Sequence, residues 1–137
     1  MAAKENLALF DGVFPVTTAM FADLPETHKS ACREYCIESM DDEEFAEHME
    51  NYTFIYADIP LERVKTRIME SDDIKSEGLT WDGLTEFNKA DVDHGDSRWP
   101  SILSGFSDEC FQDGWHRFFS YVRKNYSTVP VIAWIHK

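Results

Sequence analysis

Five consecutive residues, Asp113-Gly114-Trp115-His116-Arg117, combine the side chains that a phosphate-binding turn needs. The residues around them predict a strand, a tight turn, a helix and a further strand. The turn therefore places Gly114, His116 and Arg117 at the start of a helix, where backbone N–H groups lack partners and the helix dipole favours an anion. Glycine allows close backbone approach, arginine offers a planar fork of donors, and histidine adds a donor whose charge changes near neutral pH.

The same residues also have a purely structural interpretation. Asp113 can cap the helix, Arg117 can pair with a carboxylate of this acidic chain, and His116 can face solvent. Trp115 likewise suits either a shelf on which a nucleobase stacks or packing against the segment 70–98. The residue types alone leave both interpretations open.

The turn and the strand after it resemble the ParB/sulfiredoxin-like family, whose members carry a Gly-x-His-Arg or Gly-x-Arg-Arg turn, then a helix and a strand. Thr128-Val129-Pro130-Val131-Ile132 matches that strand, and Tyr52–Tyr56 with Ile59–Val64 resembles the family's opening strand and short helix. The resemblance implies a site for a nucleotide or small phosphorylated ligand at 113–117, with ATP or CTP and Mg²⁺ as the candidate ligands.

Departures from the family pattern narrow the implied activity. Sulfiredoxins carry a catalytic cysteine where this chain has Trp115, and Cys110 lies upstream on a predicted strand, so sulfinic-acid reduction is not expected. CTP-binding ParB proteins continue into a helix-turn-helix module, whereas this sequence stops at Lys137, so direct DNA binding is not expected either. Some relatives are small kinases with a carboxylate base, for which Glu109 and Asp113 are equal candidates. Whether the chain is an enzyme stays open.

Charge is unevenly distributed along the 137 residues, whose net charge is −13. Residues 1–98 hold 23 acidic and 9 basic side chains, whereas residues 99–137 hold 3 acidic and 4 basic ones. Affinity for a nucleic-acid backbone depends on Lys and Arg, so this composition argues against generic nucleic-acid binding. It supports an alternative function: a non-catalytic acidic inhibitor or adaptor that binds a basic groove of a protein partner. Such a protein would be a DNA mimic of the anti-restriction or anti-CRISPR type, from a bacterium or mobile element.

The length and the alternating patterns predict one compact α+β domain over 1–137, with a small mixed sheet and helices. We divide it into an N-terminal extension, 1–51, with a hairpin and helices, and a ParB/sulfiredoxin-like core, 52–137. An irregular acidic insertion, 70–98, interrupts that core and carries one short helix near 81–88.

Within the extension, the apolar runs Leu7–Phe10 and Val13–Thr18 flank an Asp-Gly pair, which favours a hairpin. Helical spacing predicts a helix over 26–39, and the acidic residues at 41–44 predict the start of a second one. In the core we expect strands at 52–57, 100–103, 109–112 and 128–132.

No metal site is predicted. Asp91–Asp96 resembles the start of a calcium loop, but its glycine is displaced by one position and no acidic residue ends the loop. His28, Cys32 and Cys36 share one helix face, although no fourth ligand is apparent and core packing explains them better. The odd number of cysteines and the lack of a long apolar run or signal peptide predict a cytoplasmic protein with reduced thiols and no membrane association.

Overall fold

Two nine-residue strands form the centre of the fold in the computed structural model, which describes residues 4–35, 40–88, 98–104 and 110–136. These strands, β2 (Tyr52–Pro60) and β5 (Thr128–His136), pair antiparallel along their whole length. Both are rich in β-branched and aromatic residues, which pack well on a pleated surface. They form the frame on which the shorter elements are placed.

Three short strands complete a five-stranded mixed sheet with the order β1-β2-β5-β3-β4. They are β1 (Thr17–Ala19), β3 (Ser101–Leu103) and β4 (Phe111–Asp113). β1 is antiparallel to β2, β3 is parallel to β5, and β4 is antiparallel to β3. The four strands predicted for the core are confirmed with shifted ends, although Glu109 lies outside the described residues.

Helices pack on both faces of this sheet. The helices in chain order are α1 (Lys4–Leu7), α2 (Glu26–Tyr35), α3 (Asp42–Met49), α4 (Leu61–Met69), α5 (Asp72–Glu77), α6 (Trp81–Phe87) and α7 (Trp115–Arg123). Buried residues of α2 and α3 belong to one core, and those of α4, α6 and α7 belong to the other. The predicted α+β domain with a mixed sheet is therefore confirmed.

Side chains of β5 alternate between the two cores, as the period of two in a strand requires. Val129, Val131 and Ala133 join the core beneath α4 and α7, whereas Ile132 joins the core beneath α2 and α3. Burial of both faces explains why the strand reads as a continuous apolar run. The first of these cores also contains Phe118, Phe119 and Tyr121 of α7, the helix that follows the predicted turn.

The predicted N-terminal hairpin is wrong. Leu7 ends α1, Ala8–Phe10 form a 3₁₀ turn, and only Thr17–Ala19 is a strand, at the edge beside β2. The guanidinium of Arg63 donates hydrogen bonds to the carbonyls of Ala8, Leu9 and Asp11. This contact, together with burial of the side chains of Leu9 and Phe10, favours a compact turn over the strand that the Asp-Gly pair predicts.

The described part of the segment 70–98 is more regular than the sequence predicts. It contains two helices rather than one, since α5 ends at Gly78 in the left-handed region (φ 64°) and α6 begins after Thr80. The Thr80 Oγ1 accepts a hydrogen bond of 3.1 Å from the Gly83 N–H and caps α6. Residues 89–97, which include the calcium-like Asp91–Asp96, lie outside the described residues.

The two predicted helices of the extension are present. α2 is described as far as Tyr35, and the remainder of the predicted range, 36–39, lies outside the described residues. Asp41 caps α3, because its Oδ1 accepts a 2.8 Å hydrogen bond from the Glu44 N–H. In the part of the chain that the structure describes, no helix is both long and apolar enough to cross a membrane.

Candidate phosphate-binding groove

The predicted turn lies between β4 and α7, with Gly114 as its pivot. Gly114 has φ 94° and ψ 19°, in the left-handed region that L-residues with a side chain rarely adopt. A Cβ at this position would lie 2.8 Å from the Ser101 Oγ and 3.0 Å from the Arg117 Nη1. Glycine is therefore required here both by the backbone angle and by the close approach of β3.

Three backbone N–H groups at the start of α7 have no helical partner. The first helical hydrogen bond runs from the Phe118 N–H to the Gly114 carbonyl at 2.8 Å, so the N–H groups of Trp115, His116 and Arg117 precede it. Asp113 does not cap the helix, because Gly114 occupies the N-cap position and no side chain bonds there. The structural interpretation of Asp113 as a cap is therefore wrong.

Arg117 is buried, with 4% of its surface exposed. Its Nη1 donates a 2.7 Å hydrogen bond to the Pro100 carbonyl, and its guanidinium carbon lies 5.6 Å from the centre of the Trp99 ring. The Nε is also buried and has no hydrogen-bond partner among the described residues. A buried cation with an unsatisfied donor costs free energy. Among the described residues Arg117 pairs with a carbonyl rather than with the carboxylate that the structural interpretation required.

His116 is exposed, as the structural interpretation of this residue expected. Its Nδ1 lies 3.4 Å from the Asn88 carbonyl, to which the Arg123 Nη1 also donates at 3.2 Å. The end of α6 is thus fixed against one side of α7. The imidazole stays accessible to a ligand that enters in front of the turn.

These groups line a groove of about 340 Å³, which we call the phosphate groove. It brings together all five residues of the predicted site and adds four that the sequence did not indicate: Glu34, Phe87, Asn88 and Gln112. Glu34 and Asp113 give the groove two carboxylates beside its cationic and amide donors. The site is therefore mixed in charge, which the local sequence pattern did not predict.

Trp115 packs on the core while lining the phosphate groove. Its ring centre lies 5.0 Å from that of Phe111 and 6.4 Å from that of Phe119, nearly parallel to the latter. The indole also borders an apolar groove formed with α5 and α6. Trp115 shares the lining of this groove with residues of the segment 70–98, while its ring contacts lie with Phe111 and Phe119.

Other candidate groups for chemistry do not join this site. Burial raises the pKa of the Cys110 thiol to about 12, although the nearby Arg67 opposes the shift, so the thiol is protonated at neutral pH. His28 and Cys32 are buried residues of α2. Cys36 and Glu109 lie outside the described residues. No cluster of three or more His, Cys, Asp or Glu side chains arranged for a metal occurs in the described ranges.

Comparison with known proteins gives no family assignment: no protein-family model, curated protein or solved structure matches the chain. The functional conclusion therefore depends on the geometry of the groove. The groove is lined by the residues that carry three backbone donors, by an exposed imidazole, by a buried arginine and by two carboxylates.

Proposed function

We propose that the phosphate groove binds the phosphate group of a nucleotide or small phosphorylated ligand. The observation that carries this proposal is the convergence on one groove of Arg117, the exposed His116 and the first residues of α7, whose N–H groups precede the first helical hydrogen bond. An anion in the groove would accept hydrogen bonds from the backbone N–H groups of 115–117, and its negative charge would offset the cost of burying the charge of Arg117.

The two carboxylates of the groove favour a ligand that arrives with a cation. Glu34 and Asp113 would repel a bare phosphate, but Mg²⁺ is commonly held by one or two carboxylates together with phosphate oxygens. The proposed ligand is therefore a magnesium complex of a nucleotide, with ATP and CTP as the candidates from the family resemblance. The proposal concerns binding, because no described group is distinguished as a catalytic base.

A thermal-shift experiment tests the proposal. A ligand present at 100 times its Kd stabilises the folded state by about 2.7 kcal/mol, which corresponds to a rise of roughly 10 °C in Tm for a domain of this size. We expect that rise with MgATP or MgCTP. The exposed residue His116 is the first to be changed, since His116→Ala leaves the core intact.

The matched control is Lys124→Ala, which removes an exposed cation at the opposite end of α7. His116→Ala is expected to reduce the ligand-induced shift, whereas Lys124→Ala leaves it unchanged. Equal loss in both variants would indicate general electrostatic attraction. Absence of a shift with ATP, ADP and CTP, with and without Mg²⁺, would reject the proposal.

A second candidate function, an acidic inhibitor or adaptor, is favoured by the surface around α3. Six acidic side chains there are exposed: Asp41, Asp42, Glu43, Glu44, Glu47 and Glu50. Carboxylates concentrated on one surface suit a basic groove on a nucleic-acid-binding protein. A complex recovered from a bacterial lysate should then dissociate with rising salt, and neutralising Glu43, Glu44 and Glu47 to Gln should abolish its recovery. A complex indifferent to salt would reject mimicry.

A further inference from the structure

A second groove lies beside the phosphate groove, and its lining is largely apolar. It measures about 490 Å³ and is bordered by the side chains of Ile74, Leu79, Leu84, Phe87 and Trp115. Phe87 is 83% exposed and Leu79 is 38% exposed. Such extensive exposure of an aromatic ring to water is unfavourable. Contiguous exposed apolar surface is typical of an interaction site.

Glu77 lines this apolar groove, and the two helices that form it, α5 and α6, are strongly acidic. We call the carboxylates of residues 70–88 the rim. Residues 70–88 carry six exposed carboxylates and a single lysine, Lys75: the acids are Glu70, Asp72, Asp73, Glu77, Asp82 and Glu86. Such a rim repels nucleic acid and anionic lipid surfaces. It attracts a partner segment that carries Lys or Arg on both sides of an apolar stripe.

The structure of the groove walls determines which secondary structure the partner segment adopts. They are built from α5 and α6, whose backbone groups are engaged within the helices, so recognition must come from side chains rather than from strand addition. A helix satisfies its own backbone and presents apolar residues at positions i, i+3, i+4 and i+7, which is the pattern that fills an apolar groove.

We propose that the apolar groove docks an amphipathic, basic helix of a partner protein. Large aliphatic or aromatic residues of that helix contact Phe87, Leu79 and Leu84, while its flanking Lys or Arg side chains face the carboxylates of the rim. The two grooves share Phe87, Asn88 and Trp115, whereas Leu79 and Leu84 line this groove and His116 and Arg117 line the other. The proposal does not rest on phosphate binding, because peptide binding is measured without a nucleotide.

The test uses a synthetic 18-residue helix of Leu and Lys with an apolar stripe, and binding is measured by isothermal titration calorimetry. Two control peptides have the same composition in scrambled order, or Glu in place of every Lys. We expect the amphipathic Leu–Lys peptide to bind at least tenfold more tightly than either control. Equal binding of the scrambled peptide would overturn the proposal, because only charge would then be recognised.

Variants of the protein locate the site. Phe87→Asp should weaken binding of the Leu–Lys peptide at least tenfold. Val13→Asp, which changes an apolar residue elsewhere that is even more exposed, should leave the affinity for the peptide unchanged. Joint neutralisation of Asp73, Glu77 and Asp82 should weaken binding more than joint neutralisation of Glu43, Glu44 and Glu47 on α3. The proposal would be overturned if Phe87→Asp and Val13→Asp changed the peptide affinity equally, or if the two joint neutralisations did.

Other occupants of the groove would give different results. If light scattering finds a dimer that Phe87→Asp converts to a monomer, the occupant is a second copy of the chain and the proposal is overturned. If Phe87→Asp lowers Tm by several degrees more than Val13→Asp does, the groove is covered from within the chain, and the proposal is again overturned.

Discussion

Ser101 and Gly114 are in contact through both backbone and side chain. The Ser101 Oγ donates a 2.9 Å hydrogen bond to the Gly114 carbonyl, and the same Oγ would lie 2.8 Å from any Cβ at Gly114. The parallel strand β3 thereby fixes the start of α7. The contact therefore positions the first residues of α7, which line the phosphate groove.

The first prediction concerns that contact. Gly114→Ala should destabilise the fold by roughly 3 kcal/mol, because it combines an unfavourable positive φ with a steric clash against β3. Gly78→Ala is the matched control: Gly78 also has a positive φ, 64°, but a Cβ there would meet nothing within 4 Å. It should cost only about 1 kcal/mol. Urea unfolding measures both, and equal costs would show that the approach of Ser101 is unimportant.

The second prediction concerns a buried hydrogen-bond chain at the N-terminus. The Arg67 Nε donates to the Asn6 Oδ1 at 2.9 Å, and the Asn6 Nδ2 donates to the Ser104 carbonyl at 2.9 Å. Asn6 is fully buried. Asn6→Ala removes both bonds in a dry environment and should lower the free energy of unfolding by about 2–3 kcal/mol.

The control for Asn6 is an exposed asparagine. The Asn51 Nδ2 donates to the His48 carbonyl at 3.2 Å, and water can replace this bond when the side chain is removed. Asn51→Ala should therefore change the free energy of unfolding by no more than about 0.5 kcal/mol. A comparably small effect of Asn6→Ala would mean that α1 contributes little to stability.

The third prediction is a dependence of stability on pH through His28. Burial lowers the pKa of His28 from 6.5 to about 4, while the carboxylate of Asp58 opposes the shift. The unfolded chain therefore binds the proton more readily than the folded one, so the contribution of His28 to stability is complete above pH 6.5 and is lost as pH falls toward 4. The loss amounts to roughly 3 kcal/mol.

His28→Phe isolates this contribution from that of the many carboxylates. Between pH 7 and pH 4.5 the variant should lose less unfolding free energy than the wild type does, since it has no proton to take up at this position. The ring of His28 packs edge-on against Tyr56 with centres 4.7 Å apart, and phenylalanine preserves that contact. Identical pH profiles of the wild type and the variant would show that His28 binds its proton equally in the folded and unfolded states.

Features set by neighbouring residues were predictable from the sequence. The helix cap at Asp41, the strand at 128–132 and the turn at Gly114 depend on residue types within a few positions of one another. Each has a local physical cause, namely a side-chain acceptor, a run of β-branched residues, and the freedom of glycine to adopt a positive φ.

Features set by distant residues were not predictable. Leu7–Phe10 form helical turns because Arg63, more than fifty residues later, donates to their carbonyls. Glu34 enters the phosphate groove from α2, although no local pattern connects it with the turn at 113–117. The mixed charge of the groove, and hence the case for a magnesium complex, depends on this long-range placement.

The fourth prediction separates stability from binding at Arg117. Replacing a buried, incompletely paired charge by an apolar side chain of similar volume is often neutral for stability. Arg117→Met should therefore change the free energy of unfolding by no more than about 1 kcal/mol, while it eliminates the rise in Tm caused by MgATP or MgCTP. Arg117→Ala, which also leaves a cavity, should cost about 3 kcal/mol. If Arg117→Met is as destabilising as Arg117→Ala, the guanidinium serves the fold through its 2.7 Å bond to the Pro100 carbonyl, and its burial no longer supports an anion site.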